Sequence, residues 1–285
     1  MLKLTNAFSR SWAITKLSFE VMMADKELFL FPLFGGIFSI LFLLALIFPA
    51  IILSATPLAG IMMFLFIVTI YFGLAFIATF FNVCTVYTIK KRFEGGNATF
   101  TESLSYAFSK LHLVLAWSAI LATVGLIFRM LDELADRMGG IGEIIARVLI
   151  GILGVGWALI SSFVIPGMIY RDVGPVKALH NSVKVIKHTW GESLIKYYGL
   201  GLMQFIMLLT GGIIFLVLIL LSIPVPVLMW IFIVLAIIYF LAVMLFFSVA
   251  NQVFNTALYY YAEKGKIPKG FNSEVIKNAY TKKGE

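Results

Sequence analysis

The chain has 285 residues, 61% of them hydrophobic and 13% charged, where an ordinary soluble domain is roughly 45–50% apolar and about 25% charged. A water-soluble core cannot bury that excess, so the composition reads as an integral membrane protein. The net charge of +8 falls in clusters between long uncharged stretches, which excludes a nucleic-acid reading of the basic balance. One cysteine, Cys84, excludes a disulfide framework and every cysteine-based zinc motif.

Residues 1–27 carry seven charged side chains and no apolar run long enough for a signal peptide, so the first span is expected to be its own targeting signal. Phe8, Trp12, Phe19 and Met22 or Met23 recur at helical spacing, with Arg10 and Lys16 among them and Glu20 four residues after Lys16. Such a helix is expected to lie in the headgroup plane, apolar side down. From Leu28 to Ile89 there are 62 residues without an acidic or basic side chain. A bilayer core of about 30 Å takes roughly 20 helical residues, so this stretch holds two spans, with a turn marked by Pro49, Thr56, Pro57 and Gly60.

Lys90, Lys91 and Arg92 close the second span, and Thr99 with Glu102 forms a T-x-x-E capping box. It opens a second amphipathic helix with Phe100, Leu104, Phe108 and Leu111 on one stripe. The third span is read as Leu111 to Phe128, ending in an Arg129, Glu133, Arg137 ladder that runs to a Gly139-Gly140 turn. Val148 to Tyr170 is the fourth. Asp172 to Pro175 then turns into a third amphipathic helix, with Pro175 at its first position. Val176, Leu179, Val183, Ile186 and Trp190 make its apolar stripe, while Lys177, His180, Lys184, Lys187 and His188 fill the other side. Tyr197 to Ala262, 66 residues without a charge, holds the fifth and sixth spans around Ser222, Pro224 and Pro226.

The connections set the orientation. Nineteen Lys and Arg fall on the side of the two termini and three, Arg129, Arg137 and Arg147, on the other. Positive charge near short loops is retained on the cytoplasmic side. The expectation is a multi-pass protein of the cell membrane with both termini cytoplasmic. Its fold class is all-α: a single membrane domain, 1–285, of six transmembrane helices in three hairpins, each preceded by an interfacial helix. The repeat-like units run over about 5–92, 99–171 and 175–262, with a tail at 263–285. Phe81, Asn82 and Tyr87 match Phe254, Asn255 and Tyr260 at a constant offset of 173, which favours internal duplication.

Few residues point to chemistry. Asn82, Asn251, Gln252 and Asn255 are amides within spans, with Asn251 and Asn255 on one helical face. In hydrocarbon they serve as hydrogen-bonding links between helices, or line a polar pocket for headgroups or small solutes. Arg10, Lys16, Lys91, Arg92, Lys177, Lys184 and Lys187 are the candidate lipid-headgroup contacts, since a basic side chain near an anionic leaflet contributes about 1 kcal/mol. No acidic or basic side chain stands in the middle of a span, which argues against proton-coupled pumps, ion-coupled carriers and voltage sensors. Three histidines without carboxylates at ligand spacing give no metal site. No hydrolase, P-loop or zinc-protease motif stands in a suitable context. Neither a cofactor nor an enzymatic activity is expected. Glycines 151, 154, 156, 199, 201, 211 and 212 read as points of close helix packing.

Phe8-Ser9-Arg10-Ser11-Trp12, Ala24 to Leu28 leading to Phe31-Pro32-Leu33, Gly174-Pro175 with Ala178-Leu179 and Ser182, and Thr189-Trp190-Gly191-Glu192 resemble an uncharacterised prokaryotic family of six-span membrane proteins. The order of interfacial helices and paired spans is also distantly similar to the membrane domain of some bacterial glycerophosphodiester phosphodiesterases, whose catalytic barrel has no counterpart here. The resemblance implies an all-α membrane fold and assigns no residue a role. The function expected is a non-enzymatic protein that binds membrane lipids or another membrane protein between its hairpins and supports envelope organisation. The alternative is a transporter or channel for a small uncharged or lipid-like solute.

Overall fold

A computed structural model describes residues 25–54, 59–186 and 199–268, together with 16, 18–20, 22 and 23. Every regular element among them is helical. A short 3-10 turn, Lys26–Phe29, leads into α1 (Leu30–Ser54) and α2 (Ala59–Phe93). The short α3 (Phe100–Ser109) precedes α4 (Leu111–Met138) and α5 (Gly140–Ser161). Two more short helices, α6 (Val164–Arg171) and α7 (Pro175–Val185), precede α8 (Gly199–Ser222) and α9 (Pro226–Lys264). Among the described residues, six segments are long and apolar enough to cross a membrane: Lys26–Ile52, Gly60–Phe93, Leu111–Met138, Gly140–Arg171, Leu200–Ser222 and Pro226–Lys264. The chain divides into two compact units, Leu30–Ile186 on one hand and Met1–Phe29 with Lys187–Glu285 on the other.

In the first unit the packing is concentrated at one end. At 1.5 Å per residue, the 35 residues of α2 span about 52 Å, well beyond a hydrocarbon core of about 30 Å. The half of α2 nearest its Lys90-Lys91-Arg92 terminus buries Val83, Cys84, Val86 and Ile89, and joins a core with Phe31, Ala107, Val114, Trp117 and Val164. Away from that basic end the long helices leave their apolar side chains outward, as at Leu44, Phe48 and Ile52 of α1 and Ile144, Ile152 and Val155 of α5. An apolar surface of this extent is what a membrane or a protein partner covers. α1 and α2 run antiparallel: Phe38 meets Phe81 (ring centroids 5.8 Å), whereas Phe42 meets Gly73 further along. Ser118 of α4 donates to the Val114 carbonyl at 2.7 Å and reaches the Ala75 carbonyl of α2 at 3.4 Å.

The second unit pairs α8 with α9. Tyr239 donates from its hydroxyl to the Met207 carbonyl at 2.8 Å, with its ring lying across Gly211. About two turns further along α9, the Phe19 ring is 5.6 Å from Phe246.

Several local expectations differ from the structure. Pro49 stands inside α1 instead of in a turn, as proline can in an apolar helix whose neighbours and waters re-satisfy the freed carbonyl. The fourth span is broken after Ser161, and α6 restarts at Val164. Pro166 explains the break: in a continuous helix its ring would strike the Ser162 carbonyl, whereas in the first turn of α6 its missing N–H has no intrahelical acceptor to lose. The turn inserts Val164 to Ile169 into the core. In α7 the buried positions are Pro175, Ala178 and Ser182, and Val176 and Val183 of the expected apolar stripe face outward. Trp190 lies outside the described residues, as do Arg10 and Lys187. Close glycine packing occurs at Gly73 and Gly211, while Gly151 and Gly156 face open space.

Candidate functional site

A recess in the first unit lies where α3 folds back along the basic end of α2. The capping box forms as expected: the Glu102 N–H donates to Thr99 Oγ1 at 3.2 Å and the Thr99 N–H to Glu102 Oε2 at 2.9 Å. This fixes the phase of α3. Ser103 and Ala107, both small, turn inward, and Ser103 Oγ lies 2.7 Å from Thr88 Oγ1 of α2. Because Thr88 gives its own proton to the Cys84 carbonyl at 3.0 Å, Ser103 is the donor of that pair.

With that phase set, Phe100, Leu104 and Phe108 line up on the adjoining side of α3. Phe100 stacks on Phe31 at 5.2 Å and meets Phe34 at 5.5 Å, and Phe108 stands edge-on to Phe80 at 4.9 Å. The three helices enclose a cleft of about 380 Å³. Its walls are Phe34 and Phe38 from α1, Phe76, Ile77, Phe80 and Phe81 from α2, and the Phe100, Leu104, Phe108 stripe of α3. Among the described residues no polar side chain lines it. Phe38 and Phe108 are 50% and 62% exposed, so the cleft is continuous with the outward apolar surface of α1.

Charge gathers on the opposite side of α3. Tyr106 stacks on Tyr87 at 4.1 Å, and Lys91 stands over the Tyr87 ring at 5.7 Å. Lys90 donates to the Ile169 carbonyl at 3.2 Å and lies 5.0 Å above the Tyr170 ring. Lys110 and Asp172 form an ion pair at 2.5 Å. Asp172 takes a left-handed conformation (φ 51°) at the end of α6 and so opens the turn into α7. Its carboxyl is held below the ordinary range by the Lys110 hydrogen bond first and the Lys110 charge second. The Tyr106 phenol is pushed up to about 12, mainly by burial and then by the negative charge of Asp172.

Asn82 is half-buried in α2, next to Phe81 of the cleft, and makes polar contact within the structure. Asn251, Gln252 and Asn255 are half-buried on α9 and belong to the other unit. Lys16, Lys91, Lys177 and Lys184 are exposed, and Arg92 is half-buried and engaged. Arg129 pairs with Glu133 at 3.0 Å as its spacing implies; Arg147 takes Glu143 at 2.9 Å and Asp136 at 2.6 Å. Among the described residues no three His, Cys, Asp or Glu side chains gather as a metal site would need. The cleft itself escaped the sequence reading. Its signal was present as phenylalanines four residues apart, Phe34/Phe38 and Phe76/Phe80, beside the Phe100 stripe, but periodicity does not say that three such stripes converge.

No curated protein and no solved structure matches the chain. A family model described only as a family of unknown function, DUF6159, matches residues 58–270. Gly174-Pro175, Ala178-Leu179, Ser182 and Thr189 to Glu192 fall inside that match, and the marks at 8–12 and 24–33 precede it. The match covers well over half of the sequence, and the chain belongs to this family of membrane-type helical proteins of unknown function.

Proposed function

We propose that this is a non-enzymatic cell-membrane protein of six spans in three hairpins, which holds membrane lipid at its basic, cytoplasmic end and so supports envelope organisation. The observation that carries the reading is the cleft between α1, α2 and α3. It is wholly apolar, it lies at the end where Lys90, Lys91 and Lys110 mark the limit of the hydrocarbon, and it opens onto the lipid-facing side of α1. A recess of that polarity accepts hydrocarbon and offers nothing to an ion or a sugar. The faces of α7 support the interfacial role of the short helices. Val176, 71% exposed, and Val183 adjoin the exposed Lys177, His180 and Lys184, an apolar strip beside a basic one. The same burial phase in α3 and α7, where Ser103 and Ala107 correspond to Ala178 and Ser182 at an offset of 75, favours internal duplication. Prokaryotic origin and the likeness to phosphodiesterase membrane domains rest on the sequence marks alone.

The test is native mass spectrometry of the detergent-purified full chain. Retained lipid is expected on the wild type and is lost from Leu104→Trp, whose larger ring fills the cleft. A lipid-free spectrum for the wild type, together with solute flux in proteoliposomes, overturns the proposal in favour of a transport pathway.

A further inference from the structure

Within the first unit, the α1–α2 hairpin and α4 call for bilayers of different thickness. We infer that the unit thins the leaflet farther from Lys110 beside α4, drawing water and lipid headgroups down to Arg129 while hydrocarbon still covers the α1–α2 tip. The inference rests on the six-span membrane reading and not on occupancy of the cleft.

Two contacts set the antiparallel α2 and α4 against each other. Ser118 Oγ reaches the Ala75 carbonyl, and the Tyr71 ring lies against Gly125. Counting outward along both helices at 1.5 Å per residue, Leu111 stands opposite about Asn82, and Arg129 opposite Phe64 to Ile67. From that shared level, α4 is uncharged over Leu111 to Phe128, 18 residues or about 27 Å. α2 stays uncharged down to its start at Ala59, and so runs on past Arg129 for about 8–12 Å. α1 keeps pace, since Gly35 against Phe81 and Phe42 against Gly73 place Ser54 opposite about Met62.

The two sides of the unit differ at that level. On the hairpin, Ile51, Ile52, Ile61 and Phe64 are exposed. On α4, Arg129, Asp132, Glu133 and Asp136 are exposed, and Arg129 donates to Glu133 at 3.0 Å. A headgroup layer of about 5–8 Å is too thin to hold both. A flat membrane surface at Arg129 leaves the apolar tip in water, and one at Ala59 puts the Arg129–Glu133 pair in hydrocarbon, where charge is costly. Leaning the whole unit does not reconcile them. A lean that immerses the tip lengthens the part of α4 inside the bilayer, and so pulls the Lys110–Asp172 pair into hydrocarbon at the opposite surface. Thinning of the leaflet beside the charged segment meets both demands, because a bilayer adjusts to mismatch at modest cost per ångström and gives way locally around basic side chains.

The test is site-directed spin labelling of the full chain in lipid vesicles, in a Cys84→Ala background. Labels go to Met130→Cys on α4 and Leu65→Cys on α2, which stand level and are 61% and 53% exposed. Leu44→Cys, outward near the middle of α1, serves as the control. Collisions with oxygen, which concentrates in hydrocarbon, are compared with those of a water-soluble nickel chelate. The expected result is nickel dominance at Met130 and oxygen dominance at Leu65 and Leu44. Arg129→Leu, Asp132→Leu and Glu133→Leu together are expected to shift the Met130 label to oxygen dominance, and a Met130 label that does not respond overturns the inference. Nickel dominance at both Met130 and Leu65, or oxygen dominance at both, describes a flat surface and overturns it with the membrane reading intact. A Leu65 label shielded from both reagents means protein covers the tip, which overturns it too. Nickel dominance at Leu44 as well overturns the membrane reading itself.

Discussion

Gly211→Ala isolates the contact that locks α8 to α9. A Cβ built at Gly211 falls against Cε1 of the Tyr239 ring and 2.6 Å from its Cζ. The ring cannot swing aside freely, because its hydroxyl is bonded to the Met207 carbonyl, one turn back on the same helix as the glycine. Forcing a methyl into a packed contact costs about 1–3 kcal/mol, and drawing the hydroxyl away from Met207 costs about 1 kcal/mol more in an apolar setting. Against this stands a gain of about 1 kcal/mol from replacing glycine within a helix. The expected net loss is about 2 kcal/mol, measured by reversible unfolding in mixed micelles followed by far-ultraviolet circular dichroism. In a Tyr239→Leu background the obstruction is gone, and the same Gly211→Ala change is expected to be neutral or stabilising by up to about 1 kcal/mol. Equal losses in both backgrounds, or no loss when Tyr239 is present, would refute the reasoning.

Thr88→Val should cost about 1–2 kcal/mol by stranding the buried Ser103 hydroxyl, and Ser103→Ala less, about 1 kcal/mol, since Thr88 keeps its bond to the Cys84 carbonyl, while the double variant costs less than the sum; additive losses would deny the bond between them. The Asp172 carboxyl has its folded pKa lowered by Lys110, so its contribution is complete above the unfolded value of about 3.9 and is lost as pH falls below that through the folded value. Thermal stability of the wild type should therefore converge on that of Asp172→Asn in acid and exceed it at neutral pH; parallel curves throughout would contradict the pair. For orientation, Ile141→Cys and Gly270→Cys in a Cys84→Ala background are expected to react with a membrane-impermeant maleimide from opposite sides of sealed vesicles. Labelling from the same side would reject the three crossings expected between them.

The uncharged runs between Leu28 and Ile89 and between Tyr197 and Ala262, interrupted by Pro and Ser, sufficed to place the long helices, because burial in lipid is decided by local composition. The Thr99-Glu102 cap and the Arg129-Glu133 pair were equally legible, both being interactions within a single helical turn or the next. Side-chain amides drew attention as candidate sites for the same local reason: a polar residue in an apolar run stands out. The cleft did not stand out, since a phenylalanine in such a run looks the same whether it faces lipid, a neighbouring helix or an empty recess.

Residue order alone thus determined that six apolar helices form, where most of them stop and how the basic residues are distributed between their ends. Tertiary structure decided which side of each short helix is covered, turning Ser103 and Ala107, Ala178 and Ser182 inward while leaving Val176 and Phe108 outside. It also decided that Pro166 breaks a span and that the phenylalanines of α1, α2 and α3 converge around one cavity. The physical reason is that helix formation and membrane insertion depend on a residue and its near neighbours, whereas a recess depends on the separation of helices brought together from positions some 70 residues apart.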